Sequence, residues 1–253
     1  MAGRWATQVG PPGRSLQSDL VHRRGFLGAG VAFGGFVLAG AKARPMAHVA
    51  MLGDSVFDNS SYVGGAPDVR AQVQALLPGL EVSSAARDGA IIADIQSQLN
   101  QVPPGVTHLV VSIGGNDAIR ASGIIEESAS TVSAALHKLA SIRERFAQSY
   151  LGMVRLLRKR GLPVALCTIY EPRFPEIDHR RAAATALTTL NDAITRHAFL
   201  ARASLIDLRI ICDADDDFAN PIEPSAIGGA KIARAIADFA MGGQGTSLVF
   251  GGV

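Results

Sequence analysis

The sequence predicts an α/β domain built on a mainly parallel sheet, and three observations carry that reading. The chain has 253 residues, of which 48% are hydrophobic and 18% charged, enough to bury one sizeable core and unlike disordered, collagen-like or disulfide-scaffold chains. From Pro45 onward, short β-rich runs alternate with segments of helical spacing, without an internal repeat or a low-complexity linker. There are five such runs, each followed by a helical segment, which is the pattern of parallel strands joined by crossover helices.

The strands are expected at His48 to Leu52, Glu81 to Ser84, His108 to Ile113, Val164 to Ile169 and Ser204 to Leu208. The intervening helices are expected at Pro67 to Leu77, Ile91 to Leu99, Ile125 to Arg160, Arg181 to Leu200 and Ser225 to Phe239. In the third helix Leu136, Leu139, Ile142, Phe146, Tyr150, Met153, Val154 and Leu157 recur at three- and four-residue intervals, so they read as one buried stripe. His48, His108, His137 and His197 fall within these strand and helix patterns and read as structural. In an open parallel sheet, reactive groups gather in the crevice beyond the carboxyl ends of the strands. The loops after the strands are therefore the places to search.

The loop after the first strand reads Gly53-Asp54-Ser55, in which a glycine lets the chain turn sharply and a serine presents its hydroxyl above the sheet. Taken alone, that serine is equally at home capping a turn. The loop after the third strand, Gly114-Gly115-Asn116-Asp117, places a side-chain amide where two glycines allow close backbone approach, a group suited to stabilising an oxyanion. The loop after the second strand adds Asp88-Gly89-Ala90, whose glycine N–H suits the same task. Three strand ends each deliver one part of an acyl-transfer site.

In these blocks the sequence resembles the SGNH (GDSL) hydrolase family over essentially all of residues 46 to 240. Ser55 matches the nucleophile block, Gly89 the glycine block and Asn116 the asparagine block, in the family's order. The resemblance implies a flavodoxin-like three-layer sandwich with a five-stranded sheet. It also implies acyl-ester chemistry through an acyl-serine, with an oxyanion hole from the N–H groups of Ser55 and Gly89 and the Asn116 amide. No metal or organic cofactor is implied. The substrate would be a small-molecule or carbohydrate acyl ester, its chain length open, and transfer to a sugar in place of water would use the same residues. No lid-like insertion or long apolar loop is read near the crevice.

The fourth block departs from the family. Where Asp-x-x-His is usual, this chain has Asn220-Pro221-Ile222-Glu223, and His197 is the last histidine. A serine hydroxyl is a weak nucleophile unless a neighbour takes its proton, and an unperturbed glutamate, with a pKa of ~4.3, is a poor base near neutrality. Burial or nearby like charge raises that value, and the acidic run Asp213 to Asp217 lies just upstream; Asp216 or Asp217 is a candidate to orient Glu223. Sedolisin peptidases offer an analogy of chemistry, though not of fold, for a serine paired with a carboxyl group. Four readings stay open: Glu223 is the base; Glu223 is an ordinary helix-start carboxylate and His179, after the fourth strand, is the base; the domain is a noncatalytic binding module; or water or substrate assists.

Other features are quieter. The acidic run lacks the glycine and terminal glutamate of a calcium loop and reads as solvated. Cys167 and Cys212 have no metal spacing; export would permit a disulfide between them, whereas the buried strand expected around Cys167 favours free thiols, and both readings stay open. Ser247 to Phe250 is read as a short strand packing back after a loose tail.

The first 43 residues read as an address. Arg4, Arg14, Arg23, Arg24 and Lys42 stand there against Asp19 alone, so of 24 basic and 22 acidic residues the remainder of the chain keeps 19 and 21. That balance gives the folded part no basic nucleic-acid footprint. His22-Arg23-Arg24-Gly25-Phe26-Leu27 resembles a twin-arginine export signal without the usual serine before the pair, and an apolar stretch, Gly25 to Ala41, leads to small residues around Ala43. The division expected is a signal peptide over 1–43, handled by export machinery, and a catalytic domain over 44–253. The alternatives are an uncleaved anchor, for which 17 residues with six glycines are short and weakly apolar, and translation starting at Met46.

Overall fold

The computed structural model describes residues 47–242. Five strands, β1 (His48–Gly53), β2 (Glu81–Ser84), β3 (His108–Ser112), β4 (Val164–Cys167) and β5 (Ser204–Ile206), form one sheet in the order β2-β1-β3-β4-β5, every pair parallel. All five are the strands the sequence predicts. The order is the flavodoxin-like one, and its direction of growth reverses between β1 and β3, where such sheets open a crevice.

Among the described residues seven helices cover the sheet: α1 (Val69–Leu76), α2 (Ile95–Leu99), α3 (Gly115–Ala121), α4 (Val132–Arg158), α5 (Ile177–Leu200), α6 (Leu208–Ile211) and α7 (Ala226–Ala240). Side chains alternate across each strand, so the core is split in two. Ala50, Leu52, Leu109 and Val111 pack with Phe146, Tyr150 and Leu157 of α4 and Leu190 and Ile194 of α5. Val49, Met51 and Val110 pack on the opposite face with Val69 and Val73 of α1 and Ile232 and Ile236 of α7. The result is the three-layer sandwich expected.

The helix boundaries differ from the sequence reading where polar side chains cap them. The helix expected from Ile125 begins only at Val132: Ser122–Glu126 is a 3₁₀ turn, and Thr131 caps α4 by accepting the Ala134 N–H at 3.0 Å. Conversely α5 begins four residues before Arg181, because the Glu176 carboxylate accepts the N–H groups of Asp178 and His179 at 3.1 and 2.6 Å. Helix α3 falls where the sequence reads as a loop, and α6 begins at Leu208, the last residue of an expected strand; at seven and four residues they are too short to show a period.

Two further expectations are corrected. The stripe on α4 is buried only from Phe146 onward; Leu139 and Ile142 are half-buried, and Leu136 is 60% exposed. The helix outruns the core at its N-terminal end, where Leu139 and Ile142 border a cavity. The acidic run is not simply solvated either, because Asp217 is fully buried and accepts from Lys231 Nζ at 2.8 Å and the Ala214 N–H at 3.0 Å. Its burial follows from α7 seating on it: a Cβ at Gly228 would collide with the Asp217 carbonyl.

Cys167 and Cys212 are buried free thiols. Among the described residues no cluster of His, Cys, Asp and Glu is arranged to hold a metal ion, and no helix is long and apolar enough to cross a membrane. The signal peptide expected over 1–43 and the strand expected at Ser247 to Phe250 lie outside the described residues.

Candidate active site

The site begins with the way β1 ends. Gly53 has φ of 141°, a region that favours glycine, and a Cβ there would collide with the Ser112 carbonyl at the end of β3. The buried Gln98 amide fixes this turn from both sides, its Nε2 donating to the Gly53 carbonyl at 2.8 Å and its Oε1 accepting the Gly53 N–H at 2.7 Å. The Asp54 N–H then donates to the Ser112 carbonyl at 3.1 Å, and the Asp54 carbonyl accepts from Phe57 and Asp58 at 3.1 Å each. The chain is thereby wound into a tight turn that holds Ser55, 7% exposed, over the strand end. Among the described residues its N–H takes no hydrogen-bond partner.

Asn116 lies in the first turn of α3, behind Gly114 at φ 115°. Its Nδ2 donates to the Ala90 carbonyl at 3.0 Å, which uses one of two amide hydrogens and leaves the other for a ligand. Nearby, Asp117 accepts the Ile92 N–H at 3.0 Å, so the loop carrying Gly89 is tied to α3 twice. Gly89 itself has φ of 76° and is exposed, with its N–H unpartnered among the described residues.

Glu223 is carried on a short hairpin before α7. Phe218 and Pro224 form an antiparallel bridge, and the Ala219 N–H donates to the Glu223 carbonyl at 2.9 Å. Asn220, standing where the family's aspartate would, accepts the N–H groups of Ile222 and Glu223 at 3.0 Å each. It therefore holds the backbone of Glu223. The Tyr170 hydroxyl donates to the Ile222 carbonyl at 2.6 Å, the Arg173 N–H to Pro221 at 2.7 Å and Asn59 Nδ2 to Pro224 at 3.2 Å, pinning the hairpin to its surroundings.

The Glu223 side chain is buried, 6% exposed, and its Oε2 has no hydrogen-bond partner. Burial pushes its pKa up to about 7, the adjacent Ser55 hydroxyl pulls it back, and the Asp88 charge adds a smaller upward push. Ser55 and Glu223 line the same cavity, close enough for the hydroxyl to act on the carboxylate. The repulsion expected from the Asp213 to Asp217 run is not what raises Glu223: Asp88 supplies it, while Asp217 is neutralised by Lys231.

A second carboxyl group flanks Ser55. Asp54 is 3% exposed, and burial pushes its pKa up to about 8; the Val56 N–H at Oδ1, 3.2 Å away, opposes this, and the charges of Glu223 and Asp117 add to it. Burial thus favours the protonated form of Asp54 near neutrality. Both groups bind protons more tightly folded than unfolded, so their contribution to stability is greatest at acid pH and is lost as pH rises from about 4 to about 8. Asp54→Asn keeps the shape and the bond from Val56 but removes the titration. Its Tm should fall less than that of the wild type across this range, and parallel Tm curves would show that Asp54 does not titrate there.

Ser55, Asn116, Glu223 and His179 all line one cavity of about 170 Å³, and Gly89 does not. His179 sits in the α5 wall, where its Nδ1 is 3.5 Å from Glu126 and its ring lies edge-on to Phe174 with centroids 4.8 Å apart. No hydrogen bond joins it to Ser55. Sequence reasoning missed Asp54, Gln98 and Asn191. Asn191 brackets the peptide of Ile169, just past β4, as Gln98 brackets Gly53, with both bonds 2.8 Å. The available signal was an amide on an otherwise apolar helix face, Gln98 beside Ile95 and Leu99, and Asn191 beside Leu190 and Ile194.

The strand order and the three layers define a flavodoxin-like α/β fold. The chain belongs to the GDSL-like Lipase/Acylhydrolase family, whose sequence model matches residues 51–230. Among solved structures it is similar to an extracellular lipase from Streptomyces rimosus, at 18% identity and a TM-score of 0.58 over 75% of this chain and 98% of that one. It is also similar to a phospholipase A1 from Streptomyces albidoflavus NA297, at 14% identity and a TM-score of 0.58 over 76% of this chain and 98% of the other. An acetyl xylan esterase superposes at 18% identity and a TM-score of 0.56, covering 75% of this chain and 97% of its own. No curated protein matches the chain by sequence.

Proposed function

We propose that this chain is an exported serine ester hydrolase in which Ser55 is the nucleophile and Glu223 the general base. The observation that carries the reading is the Glu223 carboxylate buried against the Ser55 hydroxyl, with Oε2 unpartnered and its pKa pushed up to about 7. A base poised near the working pH combines a useful ionised fraction with real proton affinity.

In this mechanism Ser55 Oγ attacks the ester carbonyl while its proton passes to Glu223. The oxyanion is met by the free N–H of Ser55, the Asn116 amide hydrogen not held by Ala90 and, from the neighbouring loop, the Gly89 N–H. The Glu223 carboxylic acid returns the proton to the departing alkoxide, leaving an acyl-serine. Water then attacks that ester, giving its proton to Glu223, and Ser55 regains a proton as the acid is released. Neutral Asp54 leaves Glu223 free of a second full charge during each transfer. Acid quenching during turnover of an activated ester should trap an acyl group on the peptide carrying Ser55; turnover without that adduct would overturn the reading.

Export is part of the proposal, resting on the arginine pair and the apolar stretch ahead of Ala43. Changing both Arg23 and Arg24 to lysine should leave the protein inside the cell, whereas the unaltered chain should be recovered outside the cytoplasm, starting close to Arg44. Unchanged export of the double variant would remove the twin-arginine reading.

A further inference from the structure

The cavity that holds Ser55 extends well beyond the reacting groups. Its polar lining is gathered at the strand ends, with Asp54, Ser55, Asn116 and Glu223. The part contributed by α4 and α5 is apolar apart from His179, and the 3₁₀ turn at Ser122–Glu126 adds Ile124 and Ile125. This is where the apolar stripe of α4 runs past the core: Leu139 and Ile142 face the cavity half-buried, opposite Ala186 and Leu187 of α5. An apolar stripe of that length, continued on two helices and left open between them, is a binding surface for something apolar.

Proton bookkeeping decides which half of an ester would lie there. The departing alkoxide must take its proton from Glu223, which arrives at the site on the hairpin before α7, a helix that packs on the α1 face of the sheet. Helices α4 and α5 cover the opposite face. With the carbonyl carbon at Ser55, the leaving alcohol lies toward α7 and the acyl substituent toward α4 and α5.

We propose that the cleft between α4 and α5 binds the acyl chain, and that the preferred substrates are esters of unbranched aliphatic acids of about six to eight carbons. The length follows from the volume: an apolar cavity of ~150 Å³ accepts a six-carbon ring, and the whole cavity, its polar end at Ser55 included, is about 170 Å³. The inference deepens the ester-hydrolase reading and rests on it.

The test uses two series of esters with the mature protein. In the first, a nitrophenyl leaving group is constant and the acyl chain grows from acetyl to palmitoyl; in the second, acetate is constant and the alcohol grows. In the acyl series kcat/KM should rise about four-fold per added carbon, the factor equivalent to ~0.8 kcal/mol per buried methylene, and level off near six to eight carbons. The alcohol series should stay nearly flat. Ala186→Trp, which fills the cleft, should lower the hexanoyl-to-acetyl ratio of kcat/KM at least ten-fold, and Ile142→Ala, which enlarges it, should move the optimum to longer chains. Fluorophosphonate labelling of Ser55 checks that each variant retains a folded site. A flat acyl series, or an alcohol series that climbs and is suppressed by Ala186→Trp, would overturn the assignment while leaving the hydrolase reading intact. No turnover of any ester together with no label on Ser55 would instead count against the hydrolase reading itself.

Discussion

Glu223→Gln is expected to lower kcat on a small activated ester by at least about 10³-fold, close to the loss from Ser55→Ala. The amide keeps the length and shape of the side chain, and the hairpin is held through backbone atoms: the Glu223 N–H by Asn220 and its carbonyl by Ala219. What disappears is the ability to accept a proton. Residues that act as one unit give losses that do not add, so the double variant should be no slower than Ser55→Ala alone. Measured kcat for the three variants checks this, and a Glu223→Gln enzyme within a few-fold of the wild type would exclude Glu223 as the base. His179→Ala serves as the comparison, because His179 engages Glu126 and Phe174 in the cavity wall; its effect on kcat should be small.

Asn116→Ala should lower kcat by about 10²- to 10³-fold with little change in KM, since a donor to the oxyanion acts mainly in the transition state. The side chain also donates to the Ala90 carbonyl, so the variant should lose some stability by leaving that acceptor unpaired. The two effects separate cleanly: the structural loss appears in Tm, and the catalytic loss appears in kcat on protein that remains folded. A kcat within a few-fold of the wild type would remove Asn116 from the oxyanion hole.

The fold was legible in the sequence because its information is periodic and local. Each of the five β-rich runs became a strand of one parallel sheet, and their alternation with helices fixed the layer arrangement. The misreadings fall where periodicity gives way to individual side-chain bonds. Thr131 and Glu176 set the starts of α4 and α5 through caps, and α3 lies within the very loop that carries Asn116. The candidate nucleophile and amide were legible because Gly-Asp-Ser and Gly-Gly-Asn-Asp concentrate their chemistry in a few adjacent residues.

What the sequence concealed depends on the third dimension. Asp54 is adjacent to Ser55 in the chain, yet its burial, and hence its retained proton, follows from packing. The acidic neighbour of Glu223 is Asp88 from the loop after β2, distant in sequence, in place of the run that lies beside it. The amides of Gln98 and Asn191 look like interruptions of apolar helix faces until the peptides they bracket are brought against them. The cavity likewise went unread, because Leu139 and Ile142 obey the same spacing as the buried residues that follow them.

The pairing of Ser55 with Glu223 is tested most directly by the rate at which a fluorophosphonate modifies Ser55 as a function of pH, with the site of modification read by mass spectrometry. This reaction needs no knowledge of the natural substrate. In the wild type the rate should rise with pH through a midpoint near 7 as Glu223 ionises, and in Glu223→Gln it should be slow and lack that rise. An equally fast, equally pH-dependent reaction in Glu223→Gln, or modification of a residue other than Ser55, would contradict the account.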